Sequence, residues 1–146
     1  MSKSNTFEND LLLLIFNNTD IADIGDAGGL QNSATAGSLY VALHTGDPGE
    51  AGTATSSEAT YTNYARVAVA RSGAGWTVAG NSATNAAQIT FPQCGVTGNT
   101  ITYVSITTAS AGATKILYSG ALNSSLAVAE NITPLFAASG LTVTED

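Results

Sequence analysis

Charge is scarce in this sequence. Only 10% of its residues are charged, against about 25% in an ordinary soluble domain. Basic residues are scarcer still: Lys3, Arg66, Arg71 and Lys115 are all there are, and no two adjoin. Nucleic-acid affinity rests on neutralising several phosphates at once. Scattered cations on a chain of net charge -7 argue strongly against such a partner. A single cysteine, Cys94, excludes an internal disulfide and gives no sign of a stapled secreted scaffold. A half-buried thiol in a loop is the expectation, and a Cys94–Cys94 bridge between copies is the alternative. Aromatic residues make up 7%, with Trp76 the sole tryptophan, which is thin material for a sugar-binding platform. Long apolar runs are also missing. Leu11 to Phe16 falls short of the apolar core of a signal peptide and far short of the roughly 20 residues that span a membrane. The expectation is a protein made and used without crossing a membrane on its own.

What is present is apolar content and small polar residues. Hydrophobic residues make up 44%, enough to exclude a disordered chain. With 146 residues, one ordinary core needs no staples. The polar surface must be built mostly from Ser, Thr, Asn and Gly. Such a surface is cheap to desolvate, so it suits permanent packing against other subunits.

The N-terminus predicts a short helix over residues 6–16. Asn5 is placed to cap it, with Glu8 three residues on as in a capping box. Phe7, Leu11, Leu14 and Ile15 form the apolar stripe, and Leu12, Leu13 and Phe16 add apolar residues on other faces. A helix this apolar all round either plugs the end of a sandwich or inserts between subunits. Asn17-Asn18 is the stop signal, and residues 25–37 read as a flexible Gly-, Ala- and Ser-rich connection.

From Ser38 the period changes from 3.6 to 2. Leu39, Val41 and Leu43 share a strand face, and Ala65, Val67 and Val69 share another. Further strands are expected at Trp76 and Val78, at 88–91, at 100–107 and at 116–121. The last ones fall within 127–136 and at 141–144. Gly, Ser, Asn and Pro punctuate them. The fold class is therefore mainly β: an antiparallel β-sandwich or jelly roll of about eight strands with a short N-terminal α-helix. The division expected is 1–37 for the helix and connection and 38–146 for the sandwich.

Little here points to chemistry. His44, the only histidine, precedes Asp47 and Glu50, but no second His or thiolate accompanies it for a metal. No G-x-S-x-G nucleophile turn exists for a triad. A strand-end His tied to a loop is the simpler reading. Asp47-Pro48-Gly49-Glu50 reads as a type II turn, with Pro48 at its second position, Gly49 at its third and Asp47 bonding back to the backbone. It lacks the alternating ligands of a calcium loop. No cofactor, metal or catalytic residue is expected.

The runs LLLLIFNNTDIADI, LYVALHTGDPGEAG and YTNYARVAVAR, with GWTV, KILYSG and a terminal LTVTED, resemble a family of small virion proteins of tailed bacteriophages. The resemblance spans nearly the whole chain. Members of that family are described as virion structural, tail-fibre-like or head-decoration proteins, so it implies no catalytic residues. Read with the composition, it leads first to a non-enzymatic capsid decoration or cement protein, which would bind neighbouring copies of the major capsid protein. A tail or tail-fibre component is the second reading, and a carbohydrate-binding or carbohydrate-cleaving module the third. The docking residues expected are Phe7, Leu11, Leu14, Ile15 and Phe16 on the helix, with Asp47, Pro48 and Glu50 in the loop over residues 45–62. The partners expected are other virion proteins and further copies of the chain, with no nucleic acid and no membrane. The place expected is the virion, assembled in the bacterial host cytoplasm.

Overall fold

The first apolar run folds as helix α1 (Asn5–Asn17) in the computed structural model, which describes residues 1–146. The cap is Ser4, one residue earlier than expected. Ser4 is extended (φ −83°, ψ 150°), and its side chain accepts from the Phe7 N–H. A capping oxygen reaches the N–H two or three residues on. Asn5 is already helical, so it cannot serve, and Glu8 falls one position beyond a capping box. The stop at Asn18 is as expected: Asn18 turns left-handed (φ 55°) and donates its backbone N–H to Leu13 O.

Nine strands follow. They are β1 (Ser38–His44), β2 (Val67–Ala70), β3 (Trp76–Ala79), β4 (Ser82–Asn85), β5 (Ile89–Thr90), β6 (Asn99–Thr107), β7 (Ile116–Val128), β8 (Leu135–Phe136) and β9 (Thr142–Thr144). They form sheets of order β2-β1-β6-β7, β3-β4-β9 and β5-β8. Mainly β structure with antiparallel ladders and one N-terminal helix is what the sequence leads one to expect. The strand it missed is β4, whose residues Ser82, Ala83, Thr84 and Asn85 carry no apolar alternation to read.

The chain divides into two compact units. The first comprises Met1–Ser38, Val69–Gln88 and Phe136–Asp146. Here β4 pairs antiparallel with both β3 and β9. The register sets Val78 opposite Ala83 and Ala83 opposite Val143. Helix α1 lies against β3 and β4. Phe16 meets Trp76 edge-on, with ring centroids 4.8 Å apart, and both are fully buried. The other face of this sheet is small and polar: Thr77 pairs with Thr84, and Thr84 with Thr142. Asn85 is a buried tie. Its amide donates to Ala87 O and Ala137 O and accepts from the Leu141 N–H, all at 2.7–2.8 Å.

The stretch expected to be a flexible connection is hydrogen-bonded. Ile21 and Leu30 bridge, the Asn18 amide exchanges bonds with the Ser33 backbone, and Asp26 accepts from Gly28 and Gly29 N–H. Gly29 is obligatory there: φ is +62°, and a Cβ would overlap the Ile21 carbonyl.

The second unit comprises Leu39–Ala68 and Ile89–Leu135. β6 is its centre, antiparallel to β1 and β7. Leu39, Val41 and Leu43 are buried, as their alternation implies, but so are Ala42 and His44. On β6 the buried run Val104, Ser105, Ile106 and Thr107 likewise covers both faces. A half-buried sheet would alternate. This one is roofed on its second face by residues 45–62. No helix of the chain is long and apolar enough to cross a membrane.

Candidate functional site

Two surfaces were expected to dock partners, and the fold treats their residues unequally. On α1 the inward stripe is Glu8, Leu12 and Phe16, at the i, i+4, i+8 spacing of one helix face. The predicted stripe lies to one side of it. Phe7, Leu11, Leu14 and Ile15 are only partly covered, and they form an apolar flank that this chain does not bury fully. Phe16 is 0% exposed and serves the core. Because the helix is apolar nearly all round, its periodicity did not reveal which arc would face the sheet.

Arg71 holds the C-terminal end of the helix. Its guanidinium donates to Leu14 O at 2.6 Å and Ile15 O at 2.8 Å, and to Ala36 O at 3.2 Å. The last carbonyls of a helix lack intrahelical partners and carry its partial negative charge. A cation 56 residues beyond Ile15 supplies both needs.

The second surface is the loop over residues 45–62. Asp47 and Glu50 are exposed, whereas Pro48 is buried. The reverse turn comes two residues later than expected, Gly52 N–H donating to Gly49 O at 3.1 Å; Gly49 does take φ +71°, and Asp47 Oδ1 accepts from the Gly49 N–H at 2.8 Å. The loop returns to the sheet through backbone bonds from Thr45 N–H to Ser57 O and from Ala59 N–H to Leu43 O, both 2.8 Å. Ala54 N–H donates to Thr114 O at 2.9 Å.

Beneath the loop lies a buried polar network. Arg66, its side chain 2% exposed, meets Glu58 through two bonds, Nε–Oε1 at 2.6 Å and Nη2–Oε2 at 2.8 Å. The same guanidinium donates to Ala109 O at 3.0 Å, Gly112 O at 2.8 Å and Thr114 Oγ1 at 3.2 Å. Arg66 therefore joins two loops, as the fork of five donors allows and a lysine would not. The Tyr64 hydroxyl donates to Glu58 Oε1 at 3.2 Å and accepts from the Leu43 N–H at 3.0 Å. Burial pushes that phenol well above the ordinary tyrosine value, so it remains a donor.

His44 is fully buried beside this network. Nδ1 lies 2.9 Å from Ser56 O and Nε2 2.7 Å from Ser105 Oγ. A carbonyl only accepts, so Nδ1 carries the proton and Nε2 accepts from the serine hydroxyl. The ring is the neutral tautomer, and burial lowers its proton affinity. A hydroxyl on an imidazole is half of a nucleophilic dyad. Here the third group is a carbonyl, and Ser105 is 1% exposed, so no substrate reaches the oxygen in this fold. Asp47 and Glu50, both exposed, do not reach the ring.

Cys94 is 1% exposed, its thiol set 3.4 Å from Gly95 O and Thr97 O. That burial places the sulfur out of reach of a second copy. What sequence reasoning missed is the pairing of Glu58, Tyr64 and Arg66, the bond from His44 to Ser105, and the tie at Asn85. The one available signal was Arg66 itself: in a chain so poor in cations, an arginine on an alternating strand needs a partner.

A family model described as Podophage GP4 fiber I protein gp80 matches residues 2–144. No curated protein matches the chain.

Proposed function

The chain belongs to the Podophage GP4 fiber I protein gp80 family, which makes it a structural component of a phage virion, and we propose that it serves in the tail as a fibre component rather than on the capsid. The match across residues 2–144 carries this reading. It favours the second of the roles the sequence suggested over the first, capsid decoration. The protein works by adhesion, without catalysis. Its partners are neighbouring virion proteins and further copies of itself, met during assembly in the host cytoplasm.

Two features support adhesion. The flank of Phe7, Leu11, Leu14 and Ile15 leaves apolar area partly open, and burying such area is worth about 25 cal/mol per Å². The loop carrying Asp47 and Glu50 is hung on buried hydrogen bonds, so little conformational entropy is left to lose on contact.

Counting copies per particle by quantitative gel staining tests the location. A few to a few dozen copies are expected of a fibre, and hundreds would return the protein to the capsid. Leu11→Asp tests the flank. The variant is expected to keep its circular dichroism spectrum and to lose incorporation into particles. Normal occupancy would remove the flank from the interface.

A further inference from the structure

We propose that protonation of His44 releases residues 45–58, the roof of the second unit, from the sheet beneath. The inference rests on reading that loop as a contact surface, and it adds a regulation: contact through the loop is permitted at neutral pH and withdrawn in acid.

The geometry is that of a latch. Both ring nitrogens are engaged, one with the loop at Ser56 O and one with β6 at Ser105 Oγ. In the neutral ring Nδ1 donates to the carbonyl and Nε2 accepts the Ser105 hydroxyl proton, so that proton has a buried partner. A second ring proton would point at Ser105 Oγ, 2.7 Å away. The hydroxyl would have to turn and give up its own acceptor.

The new cation would also be buried at a site with 0% exposure. Four titratable groups surround it. Glu58 bridges His44 directly and would attract the charge, but it is already held bidentate by Arg66. The Arg66 cation opposes it. Tyr64, bonded to Glu58, is held protonated by burial, and Tyr103 stands opposite His44 in the ladder. Burial lowers the ring's proton affinity most and Arg66 adds to it, outweighing the bond to Ser56 O and the Glu58 charge, which raise it. Opening the roof brings water to the ring and removes the largest of these penalties.

The roof is also strained next to the latch, since Ser57 holds φ +51°. A non-glycine residue rarely adopts that left-handed conformation, and the cost is relieved on opening.

The test is amide protection in the full chain between pH 7.5 and 5, read alongside the His44 ring resonances. The Thr45, Ala54 and Ala59 amides hold the roof down. Their protection factors are expected to fall about tenfold per pH unit once the pH drops below the value at which the opened ring titrates. The Asn85 amide, bonded to Leu141 O in the first unit, is the control and should hold. His44→Gln should make roof protection independent of pH over that range. Ser105→Ala removes the donor to Nε2 and with it part of the closed roof's preference for the neutral ring, so it should make the fall in protection with pH smaller. It also serves as the second variant if the glutamine variant fails to fold.

Equal roof protection at pH 7.5 and 5 in the wild-type chain would overturn the latch. So would an unchanged pH dependence of roof protection in Ser105→Ala. The contact reading fails separately: Asp47→Lys with Glu50→Lys, tested for particle incorporation at pH 7.5, leaves the latch untouched.

Discussion

Arg66 shows how a chain with so few charges uses them. Its one guanidinium satisfies Glu58 and the carbonyls of Ala109 and Gly112. Removing one partner of a buried pair leaves the other charge uncompensated, which costs about 3–5 kcal/mol. Arg66→Met is expected to lose stability on that scale in urea unfolding. Arg66→Lys should recover only part of it, since a point charge cannot reach both loops. His44 sets a pH dependence. Its folded-state proton affinity is lowered from the ordinary 6.5, so between the two values the unfolded chain binds more protons. Stability should therefore be full above about pH 6.5 and decline as the pH falls below it, by up to about 1.4 kcal/mol per unit. A series of urea midpoints against pH measures this, and His44→Gln should flatten the curve over the same window.

Among the elements, α1 and β7 are the instructive ones. Asn5, the cap read from the sequence, is already the first residue of α1, and the oxygen that accepts an open N–H is that of Ser4. Ser4→Ala should cost about 1 kcal/mol, while Asn5→Ala should cost nothing measurable, by thermal unfolding of each variant. Strand β7 is a sheet edge without a single charged residue from Ile116 to Val128. Such edges invite pairing with other chains. This one is broken by irregularities. While β6 advances from Ile101 to Tyr103, β7 passes from Leu126 back to Ala121, so residues 122–125 bulge out of the ladder. A second shift falls between Ile106 and Thr107. Bulges twist and interrupt an edge. Shortening the bulge by deleting residues 123–125 is expected to straighten the edge and raise self-association, visible in light scattering.

At the scale of the whole molecule, each unit is assembled from separated stretches of chain, and each carries its own optical reporter. Trp76 belongs to the first unit, while all of the tyrosines (Tyr40, Tyr61, Tyr64, Tyr103 and Tyr118) belong to the second. Phe16→Ala removes the ring packed on Trp76 and should cost about 3–5 kcal/mol. The loss should appear first in tryptophan fluorescence. Residues 1–37, which the sequence sets apart as a helix and connection, fold with Val69–Gln88 and Phe136–Asp146. They supply Leu12 and Phe16, both 0% exposed. Cutting at 37 is therefore expected to abolish the native Trp76 emission, and an unchanged spectrum would show that the remaining segments fold without the helix.

The sequence by itself determined the class of structure and the class of protein. Alternation at Leu39, Val41 and Leu43 made β1, the apolar run ending at Asn17-Asn18 made α1, and the Asp47 carboxylate bonded back to the Gly49 N–H. Each of these follows from local sterics and periodicity, which neighbours in sequence suffice to express. Tertiary structure decided everything that depends on a distant partner. It chose Glu8, Leu12 and Phe16 as the inner face of a helix that offered several. It formed β4 from small residues because β3 and β9 stood on either side. It brought Glu58 to Arg66, Ser105 to His44 and Arg71 to the end of α1. A hydrogen bond spanning 61 residues, as between His44 and Ser105, has no local signature, because the loop that buries it must close before either atom meets the other.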